Sequence, residues 1–260
     1  MEISHVFLLF VAGVISGGLN AVAGGGSFIA FPALIWVGLL PINANATATL
    51  AVWPGTLATM FAYRRELATH TRKLPLYITL SILGGLIGAM ILLHISNATF
   101  ANLVPYLLLA ATLLFTFRRQ LISWVHALSM RYAGRSTLPL YSMLMIILFI
   151  AISVYGGFFG AGMGILLLAL FSLMGMQNLH EMNALRSCSG LCANSIAIAL
   201  FSASGIIMWK QAFAMAIGGV LGGYGVAHVA LRLPQSWSRY AVIIIAWGMT
   251  GYFFWKQYNG

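Results

Sequence analysis

The sequence contains no aspartate, and its acidic residues are only Glu2, Glu66 and Glu181. Carboxylates within membrane spans are the usual partners of coupled cations and protons in pumps and carriers. Their scarcity disfavours a sodium or metal-ion carrier, and we expect no metal site. A Ser-His-Asp catalytic triad is excluded. The remaining residues form no recognisable catalytic cluster, so we expect neither an enzyme nor a bound cofactor.

Cysteine is also scarce, since only Cys188 and Cys192 occur. The two residues lie four positions apart within one predicted helix. This spacing is neither a disulfide framework nor a metal-binding motif. We interpret both cysteines as small apolar packing residues.

Charged residues of either sign make up 6% of the chain, whereas hydrophobic residues make up 61%. A soluble domain carries about 25% charged residues, so this composition predicts an all-α, polytopic membrane protein. The net charge of +10 does not indicate nucleic-acid binding. The basic clusters at 63–73 and 118–135 lie between apolar segments, where they are expected to fix the orientation in the bilayer.

Ten apolar segments follow one another along the chain. Eight are long enough to cross a bilayer, which takes about 20 residues. The segments at 27–40 and 163–176 are short, so each is either a tilted span or one arm of a re-entrant hairpin. The long segments lie at roughly 5–23, 44–62, 74–94, 100–117, 139–158, 182–204, 210–231 and 237–256.

Glycine clusters interrupt the hydrophobic pattern twice, 138 residues apart. Gly18, Gly24 and Gly26 correspond to Gly156, Gly162 and Gly164 at this constant offset, and Asn45 corresponds to Asn183. Paired interruptions at corresponding positions of two halves are a sequence indication of a transport site in membrane carriers. The alternative is that the glycines serve only close helix packing.

The repeated pattern predicts two homologous halves joined by a basic linker. The first repeat covers 1–117, the linker 118–138 and the second repeat 139–260. Each half is expected to consist of a glycine-broken hairpin followed by three transmembrane helices. The halves are inverted if the hairpins re-enter or if both arms of each hairpin cross, and they are parallel if only the first arm crosses. Arg232 and Arg239 flank a short loop, and the positive-inside rule slightly favours inverted repeats.

A helix that begins inside the membrane leaves backbone N–H groups that lipid cannot satisfy. Its positive dipole end favours an anion. The residues at and after the two breaks are therefore the candidate substrate-binding residues. They are Gly24, Gly25, Gly26, Ser27, Asn45, Thr49, Gly162, Gly164, Asn183, Arg186 and Ser187. Among them, Ser27 lies where its hydroxyl could cap the helix or donate to an oxyanion.

Arg186 differs from the other basic residues because it is placed within a predicted span. A charge at this depth is costly and suggests a functional role. The alternative is that Arg186 extends to the membrane surface or pairs with Glu181. The corresponding position in the first half is Ala48 or Thr49, so the site is expected to be asymmetric.

Taken together, these motifs resemble the TauE/SafE family of sulfite or organosulfonate exporters, which is grouped with toluenesulfonate uptake proteins. The second half departs from the pattern, since no proline follows Gly164 and Met163 replaces a glycine. The resemblance covers nearly the whole chain. It rests on Gly17, Gly24–Gly26, Pro32, Gly38, Ala46–Thr49, Tyr63–Arg65, Gly84, Gly85, Gly88, Gly156, Gly162, Gly164, Gly175, Ala184–Ser187, Gly218, Gly219 and Gly222.

The resemblance implies a multi-pass carrier of small, often sulfur-containing anions in the bacterial inner membrane. We therefore expect a secondary transporter of sulfite, a sulfonate or a similar anion, with the lipid bilayer and the substrate as its partners and a homodimer as a possible assembly. An anion channel and a non-transporting integral-membrane protein are the alternatives. The substrate, coupling ion and direction of transport are not determined by the sequence.

Overall fold

The structure is a computed structural model that describes residues 3–23, 25–68, 73–132, 139–230 and 235–259. Every regular element within these ranges is a helix. In chain order the helices are α1 (Ile3–Ala23), α2 (Ser27–Trp36), α3 (Pro41–Ala62), α4 (Arg64–Ala68), α5 (Leu74–His94), α6 (Asn97–Thr116), α7 (Arg118–Tyr132), α8 (Pro139–Phe158), α9 (Met163–Leu173), α10 (Leu179–Ala203), α11 (Trp209–Ala230) and α12 (Gln235–Asn259).

The helices confirm the predicted all-α architecture. Each of the eight long apolar segments forms a helix of 20 to 25 residues, and the two short segments form α2 and α9, of 10 and 11 residues. Within the described residues, four helices are long and apolar enough to cross a membrane by length and composition. These are α5, α6, α10 and Tyr141–Phe158 of α8.

The segment expected to be a basic linker is largely helical. α7 occupies Arg118–Tyr132, whereas 133–138 lie outside the described residues. Val125 is buried, and Leu121 and Ile122 pack against the hydrophobic core. These apolar residues recur at helical spacing, and the flanking arginines obscured that pattern in the sequence.

Glycines allow α1 and α11 to approach closely. A Cβ atom on Gly17 would overlap the backbone of Gly219, and one on Gly13 would overlap the carbonyl of Met215. Because Gly13 faces Met215 and Gly17 faces Gly219, the two helices run parallel. This is the most extensive helix–helix interface among the described residues. Small residues of this kind let two helix backbones approach closely in a membrane, where van der Waals packing rather than the hydrophobic effect drives helix association.

The same arrangement joins α5 to α8. A Cβ atom on Gly84 would overlap the side chain of Ser153, and one on Gly88 would overlap the carbonyl of Val154. These helices are again parallel. By chain order, α5 corresponds to α11 and α8 corresponds to α1. The first helix of each half therefore packs on the third long segment of the other half.

Corresponding helices of the two halves run antiparallel where they meet. On α3 and α10, Trp53 Nε1 donates to Ser195 Oγ at 2.9 Å, and the ring of Tyr63 lies 6.3 Å from that of His180. Position 53 thus faces 195, and the later position 63 faces the earlier position 180. This direction is the one expected of inverted halves.

α6 and α12 repeat this relation. The hydroxyls of Thr112 and Thr250 are 3.0 Å apart, and Trp247 Nε1 donates to Thr116 Oγ1 at 3.2 Å. Later residues of α6 meet earlier residues of α12, so the pair is antiparallel. We call the end of the bundle where α3 and α6 finish, and where α5 and α10 begin, the basic face. It carries Arg64, Arg65, Lys73, Arg118 and Arg119.

The buried threonine pair yields a stability prediction. Thr250 Oγ1 donates to the carbonyl of Ala246 at 2.7 Å, so Thr112 must donate the hydrogen bond between the two hydroxyls. Thr250→Val would leave the Thr112 donor without its acceptor, at a site where Thr112 is 0% exposed. We expect a loss of about 1–3 kcal/mol in unfolding free energy, measured by denaturant titration in micelles.

Thr112→Val serves as the matched control, because it leaves Thr250 bonded to Ala246. Its cost should be smaller than that of Thr250→Val. Equal costs for the two variants would contradict the assigned direction of the hydrogen bond.

Candidate functional site

The second glycine break ends α8 and starts α9 within five residues. Gly160 and Gly162 have φ values of +80° and +83°, a left-handed conformation that glycine adopts without a steric penalty. The N–H groups of Ile165 and Leu166 bond to the carbonyl of Gly162, and that of Met163 bonds to Gly160. The chain thus reverses at the break and begins a new helix.

Arg186 lies against the first turn of α9. A Cβ atom added to Gly164 would be 3.1 Å from Cδ and 3.1 Å from Nη1 of Arg186. The Arg186 side chain is half-buried. Among the described residues, the N–H of Gly164 has no hydrogen-bond partner. A guanidinium group and a helix N-terminus therefore meet at one point, and both favour an anion.

The surroundings of Arg186 lead towards the basic face. Arg118 and Tyr63 are close enough to interact with it electrostatically. Tyr63 packs on His180, two turns earlier on α10 than Arg186. A tyrosine, a histidine and a second arginine therefore lie on the side of Arg186 towards the basic face.

The first break has a different geometry. Gly26 has right-handed helical angles of φ −58° and ψ −36°, and Ser27 is the first residue of α2 and does not cap it. Instead, Ser16 Oγ donates to the carbonyl of Gly26 at 2.8 Å. Gly25 and Gly26 are buried and Ser27 is half-buried, whereas Gly24 lies outside the described residues.

A small cavity adjoins this first break. It lies between α1, α3 and α11, with Ser16, Asn20 and Gly55 in its wall, and has room for about one water molecule. The sequence reasoning missed Ser16 and Asn20. The signal that could have identified them is their position as polar residues inside an apolar helix, immediately before the glycines.

Three of the predicted polar residues donate their side-chain hydrogen bonds to backbone carbonyls. Asn45 Nδ2 donates to the carbonyl of Phe158 at 3.0 Å, Thr49 Oγ1 to that of Asn45 at 2.8 Å, and Asn183 Nδ2 to that of Leu179 at 2.8 Å. Ser187 is 5% exposed. Asn45 thereby connects the first half to the second break.

Aromatic rings occupy the space between α2 and the second break. Phe31 packs edge-on against Phe159 and stacks on Phe253, with centroids 5.8 Å and 5.9 Å apart. Phe100 also contacts Phe159.

Of the predicted site residues, the structure groups Gly162, Gly164 and Arg186 at the second break, and Gly25, Gly26 and Ser27 at the first.

The contact at Gly164 makes a direct prediction. Gly164→Ala would place a methyl group against the Arg186 side chain, which is flexible and can move aside. If Arg186 binds an anion at this point, as the sequence predicts, we expect the fold to be retained and the apparent KM for that anion to rise on the order of tenfold, since a charged hydrogen bond contributes about 1.5–3 kcal/mol. Initial rates in proteoliposomes would measure this.

Gly251→Ala is the control for this substitution, because no atom lies within 4 Å of the added Cβ. A KM that is unchanged in Gly164→Ala would show that Arg186 does not act on the anion from its observed position.

In the described part of the chain, no three His, Cys, Asp or Glu side chains are grouped as possible metal ligands. Cys188 and Cys192 are both free thiols.

Comparison with known proteins identifies the family. The family model described as sulfite exporter TauE/SafE matches residues 9–253. A probable membrane transporter protein of Haemophilus influenzae is 30% identical over 244 residues, covering 94% of this chain and 92% of that protein. The probable membrane transporter protein YfcA of Escherichia coli K12 is 26% identical over 241 residues, covering 92% and 86%.

A third relative, the probable membrane transporter protein ORF9 of a Sinorhizobium species, is 26% identical over 220 residues, covering 82% of this chain and 78% of that protein. No solved structure matches the chain. The family-model match runs through both glycine breaks and reaches into each of the long helices. The chain therefore belongs to the sulfite exporter TauE/SafE family of multi-pass membrane transporters.

Proposed function

We propose that this protein is a secondary transporter of a small oxyanion and that Arg186 binds the anion at the start of α9. The observation that carries the proposal is the position of the Arg186 guanidinium against Gly164. Arginine presents a planar set of donors that matches an oxyanion bidentately. The N–H of Gly164 and the dipole of α9 add favourable interactions on the same side.

The proposed substrates are sulfite and sulfonates. Their support is the name of the family, sulfite exporter TauE/SafE, together with the chemistry of the site. A sulfur oxyanion offers three oxygens in a compact group, which suits one guanidinium and one backbone donor. The named relatives are described only as membrane transporters, so they do not distinguish among anions.

The proposed mechanism is alternating access between two inverted halves, 1–117 and 139–260. Its support is the antiparallel contact of α3 with α10 and of α6 with α12. In carriers built this way, one half rocks against the other around a central site. The positive-inside rule places the basic face in the cytoplasm, and the bacterial inner membrane is the proposed location.

The test is a flux assay with the purified protein in proteoliposomes. We expect saturable uptake of sulfite or a sulfonate, and counterflow when unlabelled anion is trapped inside. Sulfate and small carboxylates are the comparison substrates. Flux without counterflow would identify a channel. An absence of flux for every anion, from a protein that elutes as a single folded species, would contradict the proposal.

A further inference from the structure

Three helices that begin at the basic face, α5, α8 and α10, run parallel and pack on one another. Each of them carries one deeply buried serine. Ser81 on α5 and Ser153 on α8 are 0% exposed, and Ser189 on α10 is 1% exposed. Each helix thus places one hydroxyl in the protein interior.

The turn before each serine belongs to one apolar cluster. Tyr77, Phe149 and Leu185 each precede the serine of their own helix by four residues, and all three are members of the same buried core. The rings of Tyr77 and Phe149 stack with centroids 5.3 Å apart. The three helices therefore meet on the side of the serines towards the basic face.

The three helices also meet in the turn after the serines. A Cβ atom on Gly157 would overlap the backbone of Gly85, and one on Gly85 would lie 2.7 Å from Cα of Ala193. These residues each follow the serine of their own helix by four positions. Because residues four apart share one face of a helix, the serines lie between two contacting layers. We call Ser81, Ser153 and Ser189 the serine layer.

Hydrogen bonding distinguishes the members of the serine layer. Ser81 Oγ donates to the carbonyl of Tyr77 at 2.7 Å. The hydroxyls of Ser153 and Ser189, by contrast, have no hydrogen-bond partner within the described residues. Buried polar groups are nearly always hydrogen-bonded, because a buried hydroxyl without a partner is costly. Two donors of this layer therefore remain available to a ligand.

The helix packing itself does not require these hydroxyls. The offset of 138 residues matches Ser153 to Ile15 on α1 and Ser189 to Ala51 on α3. The corresponding helices of the other half thus carry apolar residues at both positions. As with Arg186, the polar residue occurs in the second half alone.

The start of α9 adjoins the serine layer on α8. A Cβ atom on Gly156 would overlap the sulfur of Met163, the first residue of α9. Ser153 precedes Gly156 by three positions, and residues three apart are neighbours on a helix surface. The second glycine break therefore contacts α8 within one turn of an unpartnered hydroxyl.

The same relation holds on α10. Gly164, the second residue of α9, lies against the side chain of Arg186. Ser189 follows Arg186 by three positions and is its neighbour on the next turn. The start of α9 thus lies between two parallel helices, and each of them carries an unpartnered serine within one turn of the contact.

We propose that Ser153 and Ser189 are further anion-binding residues, whose hydroxyls donate to the oxyanion held by Arg186 at the start of α9. This inference rests on the proposed function and extends its site to two residues of the serine layer. Each hydroxyl gains a charged acceptor, which forms a stronger hydrogen bond than a neutral one. The flexible, unbranched side chain of Met163 can move aside to admit the anion.

A cation is a poorer ligand for these two hydroxyls. The positive charge of Arg186 lies one turn from Ser189 and repels it. The free hydroxyl protons also suit an acceptor rather than a metal ion. An oxyanion satisfies both hydroxyls and the guanidinium together.

Thermal stabilisation of the micelle-solubilised protein by sulfite tests the proposal. In Ser153→Ala and in Ser189→Ala, the sulfite concentration for half-maximal stabilisation should rise about tenfold, the effect of one hydrogen bond to a charged group. The melting temperature without sulfite should be unchanged or higher, because alanine removes a buried hydroxyl that has no protein partner. Loss of affinity without loss of stability is the expected signature.

Ser81→Ala is the matched control within the same layer. Its hydroxyl is equally buried but already donates to Tyr77. This variant should need the same sulfite concentration as the wild-type protein and should melt at a lower temperature. The two unpartnered serines and Ser81 are therefore expected to respond in opposite ways.

The outcomes separate this inference from the proposed function. Stabilisation of the wild-type protein by sulfite, with the same half-maximal concentration in Ser153→Ala and Ser189→Ala, would overturn only the serine assignment. Lower melting temperatures in these two variants without a change in sulfite affinity would show a purely structural role and would also overturn it. A wild-type protein that no anion stabilises and that carries none would overturn both proposals.

Discussion

Replacing Arg186 by alanine is expected to lower anion flux by about tenfold to a hundredfold, the factor that corresponds to a charged hydrogen bond of about 1.5–3 kcal/mol. The guanidinium lies against Gly164 at the start of α9, and its removal leaves the anion with backbone donors alone. Initial rates over a range of anion concentrations would show the loss, chiefly as a higher KM. Stabilisation of the purified protein by the anion should disappear as well.

Two further variants make this result specific. Arg119→Ala removes an exposed arginine of the basic face and should leave KM nearly unchanged. Arg186→Lys keeps the positive charge but loses the planar pair of donors, so its KM should lie between those of wild type and Arg186→Ala. Full transport by Arg186→Ala would remove Arg186 from the site.

The largest expected effect on stability comes from Gly17→Val. A single Cβ atom at this position would already overlap the backbone of Gly219, and backbone atoms cannot move aside as a side chain can. α1 and α11 would have to separate along their interface. We expect a loss of about 3 kcal/mol or more, measured as a lower temperature at which the micelle-solubilised protein loses its monodisperse elution peak.

Gly248→Val provides the control, because nothing lies within 4 Å of its added Cβ on α12. Gly88→Val should reproduce the effect of Gly17→Val at the corresponding interface of α5 with α8. If the Gly17→Val variant elutes and unfolds as the wild-type protein does, the result would contradict the close packing of α1 on α11.

Most of the helices could be predicted because hydropathy is a local property. An apolar run of about 20 residues must form a helix in a bilayer, where backbone groups have no other partner. The short lengths of α2 and α9 were also visible, because glycine clusters mark their starts. α7 was missed because arginines flank its apolar residues and give the segment the composition of a basic loop.

The site could be predicted only in part. The position of Arg186 in the sequence suggested a role, since a charge is rare within a span. Its contact with Gly164 depends on how α9 packs against α10, which no local pattern specifies. The same holds for Asn45. Its motif suggested a ligand contact, but its amide bonds to a carbonyl 113 positions away in the chain.

The first helix of each half packs on a helix of the other half, and this has a consequence for biosynthesis. α1 leaves the ribosome well before α11, the helix on which it packs, because nine other helices lie between them in the described chain. At about 5–20 residues per second, α1 waits roughly ten to forty seconds in the bilayer with its glycine surface uncovered. Neither half can complete its own packing, so final assembly must follow insertion of nearly the whole chain.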